Sequence, residues 1–71
     1  MPLTTIGEQI RAARTAAGLT QIELAERAGL WQSSISDYER GEEEPDRRTL
    51  HRLADAIGCA YRYENGREQF G

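Results

Sequence analysis

Amide, hydroxyl and carboxyl side chains that could bind polar partners gather between residues 18 and 41 of this 71-residue chain. Gln21 and Gln32 carry amides, which donate and accept hydrogen bonds and therefore suit phosphate oxygens and the edges of nucleotide bases. The residues after Gln32 are mostly short and polar, which favours close polar contacts: Ser33, Ser34, Ser36 and Asp37. The chain offers no Ser/His/Asp arrangement, phosphate loop or ligand cluster, so we expect polar recognition and not an enzyme.

The sequence contains one cysteine, Cys59, and one histidine, His51. These numbers exclude an internal disulfide, a zinc finger and a four-ligand zinc site. We expect Cys59 to be partly buried and His51 to be exposed on a helix. No apolar run approaches the roughly 20 residues that span a bilayer, and the N-terminus lacks a basic segment followed by an apolar stretch. We therefore expect a cytoplasmic protein that uses no metal, no cofactor and no membrane.

The formal net charge of −3 comes from one acidic segment, residues 37–46. This acidic segment holds six carboxylates against Arg40, which is −5, and the remainder of the chain is +2. A negative total argues against nucleic acid as a partner, but a binding face can differ in sign from the whole molecule. The acidic segment itself is either a solvated loop or a surface for another protein.

Four helices are predicted to position these side chains. A threonine lies three residues before a glutamate, the spacing of a capping box, at two places that mark helix starts: near Thr4 or Thr5, and at Thr20. The third helix is predicted from about Gln32 to Arg40, and the fourth follows an N-cap at Asp46. A glycine ends each helix: Gly18, Gly29, Gly41 and Gly58. Apolar residues at helical spacing define the buried faces: Ile6, Ile10, Ala13, Ala17, Leu24, Ala25, Ala28, Ile35, Tyr38, Leu50, Leu53, Ala54 and Ile57.

The second and third helices, joined by a tight turn at Gly29, form a candidate helix-turn-helix. Leu24 and Ile35 are expected to meet in the angle between them. In this motif the first helix lies across the phosphates and the second enters the major groove with its N-terminus first. We therefore expect Gln21, with the free N–H groups of its helix, to hold a phosphate, and Gln32 to pair with adenine.

The tail changes from helical to alternating periodicity. Asn65-Gly66 between two short alternating runs predicts a type I′ hairpin. Two-residue closure pairs Tyr61 with Phe70 and brings two opposite charges together at the turn. An isolated hairpin is marginal in water, so it must dock on the helices of its own chain or on a second subunit.

Residues 3–58 resemble the phage-repressor-type helix-turn-helix proteins, often called Xre or Cro-like. The matching residues are Ile6-Gly7-Glu8-Gln9-Ile10-Arg11, Arg14, Gly18-Leu19-Thr20-Gln21, Glu23-Leu24-Ala25, Ala28-Gly29, Ser34-Ile35-Ser36, Glu39-Arg40-Gly41, Pro45, Leu50 and Leu53-Ala54. The resemblance implies an all-α bundle of four or five helices like that of lambda repressor, here with a short C-terminal strand or hairpin. It implies a helix-turn-helix DNA-binding domain over residues 1–58 and a tail over residues 59–71 that serves as a dimerisation element.

The resemblance also implies roles for individual residues. Thr20 and Gln21 match phosphate-binding positions, and the base-facing positions of the third helix are matched by Gln32, Ser33 and Asp37. Contacts to phosphate or base edges are implied for Ser34 and Ser36, which flank these positions. A place near the loop that contacts the DNA backbone is implied for Arg40, Arg47 and Arg48. Arg14 and Glu39 match a structural ion pair between the first and third helices. Related regulators pair a tail strand across a dimer, which suits Tyr61, Tyr63 and Phe70, although packing in their own core is the alternative.

Three departures from the family pattern affect the expected contacts. Trp31 replaces a small N-capping residue, so it either packs on a sugar or thymine methyl or is a surface aromatic. Asp37 repels phosphate but can accept from cytosine N4, unless it is simply exposed. Glu42-Glu43-Glu44 reverses the sign of a loop that is usually basic. These changes predict weak non-specific binding and a shallow salt dependence, or a surface for a protein.

Two functions follow from these residues and the resemblance. The first is a sequence-specific transcription regulator, in particular a repressor, that binds double-stranded operator DNA through the major groove as a homodimer. The alternative is an antitoxin that neutralises a partner toxin and represses its own operon.

Overall fold

The computed structural model describes residues 5–71, which form four helices followed by an antiparallel hairpin. The elements in chain order are α1 Ile6–Ala16, α2 Gln21–Ala28, α3 Gln32–Arg40, α4 Arg47–Ile57, β1 Tyr61–Glu64 and β2 Arg67–Phe70. The predicted helical bundle with a helix-turn-helix and a C-terminal hairpin is therefore confirmed. A start of the first helix at Thr4 lies outside the described residues.

Side chains cap three of the four helices. The Thr5 hydroxyl accepts from the Glu8 N–H at 3.1 Å and the Glu8 carboxylate accepts from the Thr5 N–H, which completes the predicted capping box. The second box and the Asp46 cap of α4 are also present. Helix α3 begins after Trp31, whose side chain makes no capping hydrogen bond. The helix that carries most of the candidate contacts thus has the weakest start.

A glycine allows α1 and α3 to touch backbone to backbone. A Cβ added to Gly7 would lie 2.1 Å from the carbonyl oxygen of Tyr38. No side chain fits in that space, so the approach of the two helices depends on glycine at this position. Between α2 and α3, Gly29 adopts a φ of 70°, as the predicted tight turn requires.

The core lies where the four helices meet, and every helix contributes to it. Leu24 of α2 and Ile35 of α3 are both fully buried and belong to the same core cluster. Burying a side chain of this size stabilises the fold by about 1.5–3 kcal/mol. The prediction that Ala17 lies on the buried face of α1 is wrong, because the helix has ended at Ala16 and Ala17 is an exposed C-cap residue.

The hairpin packs on the helices of its own chain. Tyr61 pairs with Phe70 across the two strands, which confirms the predicted register, and both rings are buried in the helical core. The Gln9 side chain of α1 makes two hydrogen bonds to one edge of β2, accepting from the Phe70 N–H at 2.9 Å and donating to the Glu68 carbonyl at 3.3 Å. These contacts give the hairpin the support that it would lack in water.

Candidate nucleic-acid interface

A continuous chain of hydrogen bonds joins α1, α3 and α2. The Arg14 guanidinium donates from Nε and Nη2 to the two carboxylate oxygens of Glu39, at 2.7 and 3.0 Å. The Gln21 amide donates to Glu39 Oε1 at 3.1 Å, and the Gln32 amide donates to Gln21 Oε1 at 3.0 Å. The implied ion pair and the two candidate recognition amides therefore form one network.

The buried end of this network is the ion pair. The side chain of Glu39 is 4% exposed and that of Arg14 is 13% exposed. The hydrogen bond to Glu39 raises the pKa of Arg14, and burial opposes that rise. A third bond runs from Arg14 Nη1 to the Leu19 carbonyl at 2.8 Å, so the guanidinium also holds the loop before α2.

The other end of the network determines which atoms of Gln32 face outward. The Glu39 carboxylate only accepts, so Gln21 must turn its NH₂ group toward it and its carbonyl oxygen toward Gln32. Gln32 then uses one N–H on Gln21. Its second N–H and its Oε1 have no partner among residues 5–71, and this donor–acceptor pair is the one that adenine requires.

Sequence reasoning treated Gln21 and Gln32 separately and missed the bond between them. The two residues are eleven positions apart, so no local pattern connects them. The available signal was that each is the first residue of a helix in the candidate motif, whose two N-termini must lie side by side to face one duplex. The Thr20 hydroxyl accepts from the Glu23 N–H and so caps α2 one residue before Gln21.

The start and outer face of α3 are open to solvent. Trp31 is 80% exposed, Gln32 and Ser33 are exposed, and Ser34 and Ser36 are half-buried. Trp31 is therefore a large exposed apolar side chain next to Gln32 in the sequence. This exposure agrees with both interpretations of Trp31, a contact to a sugar or thymine methyl and a simple surface aromatic.

The C-terminal end of α3 is occupied by ion pairs within the chain. Arg40 Nη2 lies 2.7 Å from Asp37 Oδ1 and 2.8 Å from Glu42 Oε2. These carboxylates raise the pKa of Arg40, with the Glu42 hydrogen bond the largest cause. Asp37, expected to face a base, and Arg40, expected to contact the DNA backbone, therefore bind each other in the free chain. Such exposed pairs are weak and exchange readily.

The acidic segment also acts on its surroundings through space. Burial raises the pKa of Tyr38, and the charges of Glu43, Asp46 and Asp37 raise it further.

At the start of α4, the Arg47 guanidinium lies 5.0 Å from the centre of the Tyr63 ring. A basic side chain next to the acidic segment is thus fixed against the hairpin by a cation–π contact.

The structure brings together some of the residues implied by the resemblance and separates others. Arg48 lines a groove between α2 and α4 with Arg27 and Arg52, apart from the hydrogen-bond network. Tyr61 and Phe70, implied for dimerisation, are 8% exposed and serve the core of their own chain. Tyr63 remains 52% exposed and is the one of the three available to a partner.

Residues 5–71 were also compared with the requirements of a metal site and of a membrane-spanning helix. No group of three or more His, Cys, Asp or Glu side chains is placed to hold a metal ion among residues 5–71. None of the helices described there has the length and apolar character to cross a bilayer. Cys59 is partly buried, and burial raises the pKa of its thiol.

Proteins similar in sequence to this chain include repressors and other transcription regulators. The helix-turn-helix family model matches residues 10–63. The immunity repressor protein of Bacillus phage phi105 is 43% identical over 54 residues, which are 76% of this chain and 38% of that protein. The transcriptional regulator ImmR of Bacillus subtilis (strain 168) is 32% identical over 65 residues, which are 92% of this chain and 51% of ImmR. The chain thus spans about half, or less, of these two relatives.

Solved structures agree with this assignment. The solution structure of the DNA-binding domain of the P22 c2 repressor has a TM-score of 0.79 at 35% identity, covering 84% of this chain and 79% of that one. The crystal structure of the P22 c2 repressor in complex with a synthetic operator has a TM-score of 0.75 at 34% identity, covering 82% and 88%. These matches confirm the resemblance to phage-repressor-type proteins and the expectation that the chain is not an enzyme. The chain belongs to the helix-turn-helix family.

Proposed function

We propose that this chain is the DNA-reading part of a transcription regulator, acting as a repressor that binds operator DNA as a homodimer. The observation that carries the proposal is the network from Arg14 to Gln32, which presents an oriented amide at the N-terminus of α3. The similarity to the P22 c2 repressor, whose structure includes an operator, supports the same orientation of α3. Such a regulator works where the DNA is, and we place it in the cytoplasm.

One phosphate is held at the N-terminus of α2. The capping box uses the N–H groups of Thr20 and Glu23, which leaves those of Gln21 and Ile22 to point at an anion. The positive end of the α2 dipole adds to this attraction. Thr20 and Gln21 therefore fix the register of the protein on the duplex without reading its sequence.

Sequence is read from the start of α3. Gln32 donates its second N–H and accepts with Oε1 at the edge of adenine, while Ser33 and Ser36 approach neighbouring base edges or phosphates. Trp31 packs on a sugar or a thymine methyl beside them. Asp37 accepts from cytosine N4 once Arg40 has turned to a phosphate, and Arg48 approaches the backbone from the start of α4.

The division at residue 58 belongs to this proposal. Residues 1–58 carry the DNA contacts, and residues 59–71 stabilise them by closing the core with Tyr61 and Phe70. The exposed ring of Tyr63 is the part of the tail that faces a second subunit.

Selection from a library of random duplexes, repeated at two salt concentrations, tests the proposal. We expect a palindromic product, because two copies related by a twofold axis read two half-sites. On the selected duplex, Gln32→Ala should weaken binding by about 5- to 150-fold, since a bidentate amide–adenine contact contributes roughly 1–3 kcal/mol of discrimination. Gln69→Ala is the matched control, because Gln69 is an exposed glutamine on the hairpin. Failure to enrich any duplex at low salt would refute the proposal.

A second function, an antitoxin that neutralises a partner toxin and represses its own operon, is favoured by one observation. Glu43 and Glu44 are exposed and form no ion pair within residues 5–71, so they offer negative charge to another protein. The test is purification from the native host. A second polypeptide that co-purifies at one to one, and is lost from the variant Glu43→Gln/Glu44→Gln, would support this function. Isolation of the chain alone would contradict it.

A further inference from the structure

Three arginines outside the recognition network line one open groove between α2 and α4, here called the basic groove. Arg27 lies in the last turn of α2, and Arg48 and Arg52 lie one turn apart on α4. All three side chains are exposed. None is within 4.0 Å of a carboxylate among residues 5–71, although Arg27 and Arg48 act through space on one neighbouring carboxylate each. Asp55 is the single acid among the described lining residues, so the basic groove has a formal charge of about +2.

The acidic segment provides the complementary charge on the same molecule. Glu42 is engaged with Arg40 and Asp46 caps α4, but Glu43 and Glu44 are exposed without an ion-pair partner in the described residues. The acidic segment ends at the residue before α4, and the basic groove begins with the second residue of α4. The two patches therefore follow each other in the sequence at the start of α4, and no ion pair within 4.0 Å joins them among residues 5–71.

Neighbouring patches of opposite charge suit a twofold axis. When two copies meet around such an axis, each patch of one copy faces the other patch of its partner, so both contacts form at once. The axis would pass near the start of α4, between the two patches. In this arrangement both contacts join opposite charges. An arrangement in which identical patches met would join like charges and would be repulsive.

A duplex fits the basic groove less well. Arg27 is six residues after Gln21, which places it about 9 Å further along α2 from the proposed phosphate site. Of the three tail aromatics implied for dimerisation, Tyr61 and Phe70 lie in the core, so Tyr63 alone does not make a large apolar dimer face.

We propose that a second copy of this chain docks Glu43 and Glu44 of its acidic segment against Arg27 and Arg52 of the basic groove, and that the two reciprocal contacts form the homodimer. The inference rests on the proposed function in one respect, since it identifies the interface of the homodimer that reads the operator. Its test needs no DNA, so its failure and the failure of operator binding are separate results.

Paired charge reversals test the interface by sedimentation velocity of the purified chain. The groove variant is Arg27→Glu/Arg52→Glu, and the segment variant is Glu43→Arg/Glu44→Arg; all four positions are exposed. Each variant alone should weaken self-association by about tenfold or more, because like charges then face each other in both contacts. A one-to-one mixture should form a heterodimer, because every contact in it again joins opposite charges. Circular dichroism confirms that each variant is folded.

The control and the salt dependence complete the test. Arg11→Glu/Arg62→Glu makes the same change of charge outside the basic groove and should leave self-association near that of the natural chain. Added salt should dissociate the natural dimer, because exposed charges are screened. The inference is overturned by a natural chain that stays monomeric at low salt, by variants that dimerise unchanged, or by a mixture that does not associate. A groove variant that loses DNA affinity while its self-association is unchanged would assign the basic groove to phosphates instead.

Discussion

Replacing Glu39 by Gln removes the charge that faces Arg14 and keeps nearly the same side-chain shape. The guanidinium is 13% exposed and the carboxylate 4%, so the charge of Arg14 is left in a place that water barely reaches. Loss of one partner from a buried pair costs about 3–5 kcal/mol. Arg14 keeps its bond to the Leu19 carbonyl, so we expect the lower end, about 3 kcal/mol.

That loss is large for a chain of 71 residues. At roughly 0.05–0.15 kcal/mol per residue, the free energy of unfolding of such a domain is about 4–11 kcal/mol. A loss of about 3 kcal/mol corresponds to a fall in Tm of roughly 12–24 °C for a domain of this size. Glu39→Gln should therefore remain folded near 20 °C and melt well below the natural chain.

Urea unfolding followed by circular dichroism measures the loss, with Glu26→Gln as the control on an exposed carboxylate of α2. The control should change the free energy of unfolding by less than about 0.5 kcal/mol. Arg14→Met/Glu39→Leu, which removes both charges, should be more stable than either single change, because no buried charge is then left alone. A loss below about 1 kcal/mol for Glu39→Gln, or additive single changes, would refute the account of the pair.

Three further predictions concern other parts of the chain. Gly7→Ala should lower the free energy of unfolding by about 1–3 kcal/mol in urea, because the added Cβ overlaps the Tyr38 carbonyl; a gain in stability would contradict the close approach of α1 and α3. Glu42→Gln should tighten operator binding and steepen its salt dependence in fluorescence anisotropy, because one carboxylate that competes for Arg40 is removed, whereas Glu26→Gln, on an exposed carboxylate of α2, should not steepen it as much. Stability should fall as pH drops below about 4.5, because three capping carboxylates have lowered pKa values in the folded chain and lose their contribution as they are protonated: Glu8, Glu23 and Asp46. Thermal melts of a variant with Gln, Gln and Asn at these positions should show a flatter acid limb, and an unchanged limb would contradict this cause.

Short sequence patterns were sufficient to predict the four helices and the hairpin. A capping box depends on residues three apart, a C-terminal glycine on one backbone conformation, and the hairpin register on Asn65-Gly66, so each could be predicted without knowing the packing. The error at Ala17 has the same origin. The helical period continued through it, while the turn before Gly18 had already ended the helix.

Contacts between distant residues could not be predicted in this way. Gly7 shows no local sign that its hydrogen faces a carbonyl of α3, since that depends on the distance between two helices. The docking of the hairpin was left open because it depends on Gln9, whose amide bonds β2 about 60 residues away. Within the candidate site, the residue types indicated polar recognition, but the order Arg14, Glu39, Gln21 and Gln32 emerged only from the packing of three helices.

In the proposed DNA complex, the two ends of α3 differ in how their side chains are already engaged within the chain, and this difference bears on specificity. At the start of α3, the buried ion pair holds Gln21 and Gln32 in place, so little side-chain freedom is lost when a base is read. At its end, Asp37 and Glu42 both accept from Arg40 Nη2, so these carboxylates compete with a phosphate for the guanidinium. Non-specific affinity depends on the number of phosphates neutralised, so the acidic contacts reduce it on every sequence. The base contact proposed for Gln32 does not involve these carboxylates, and we therefore expect modest affinity with a high ratio of specific to non-specific binding.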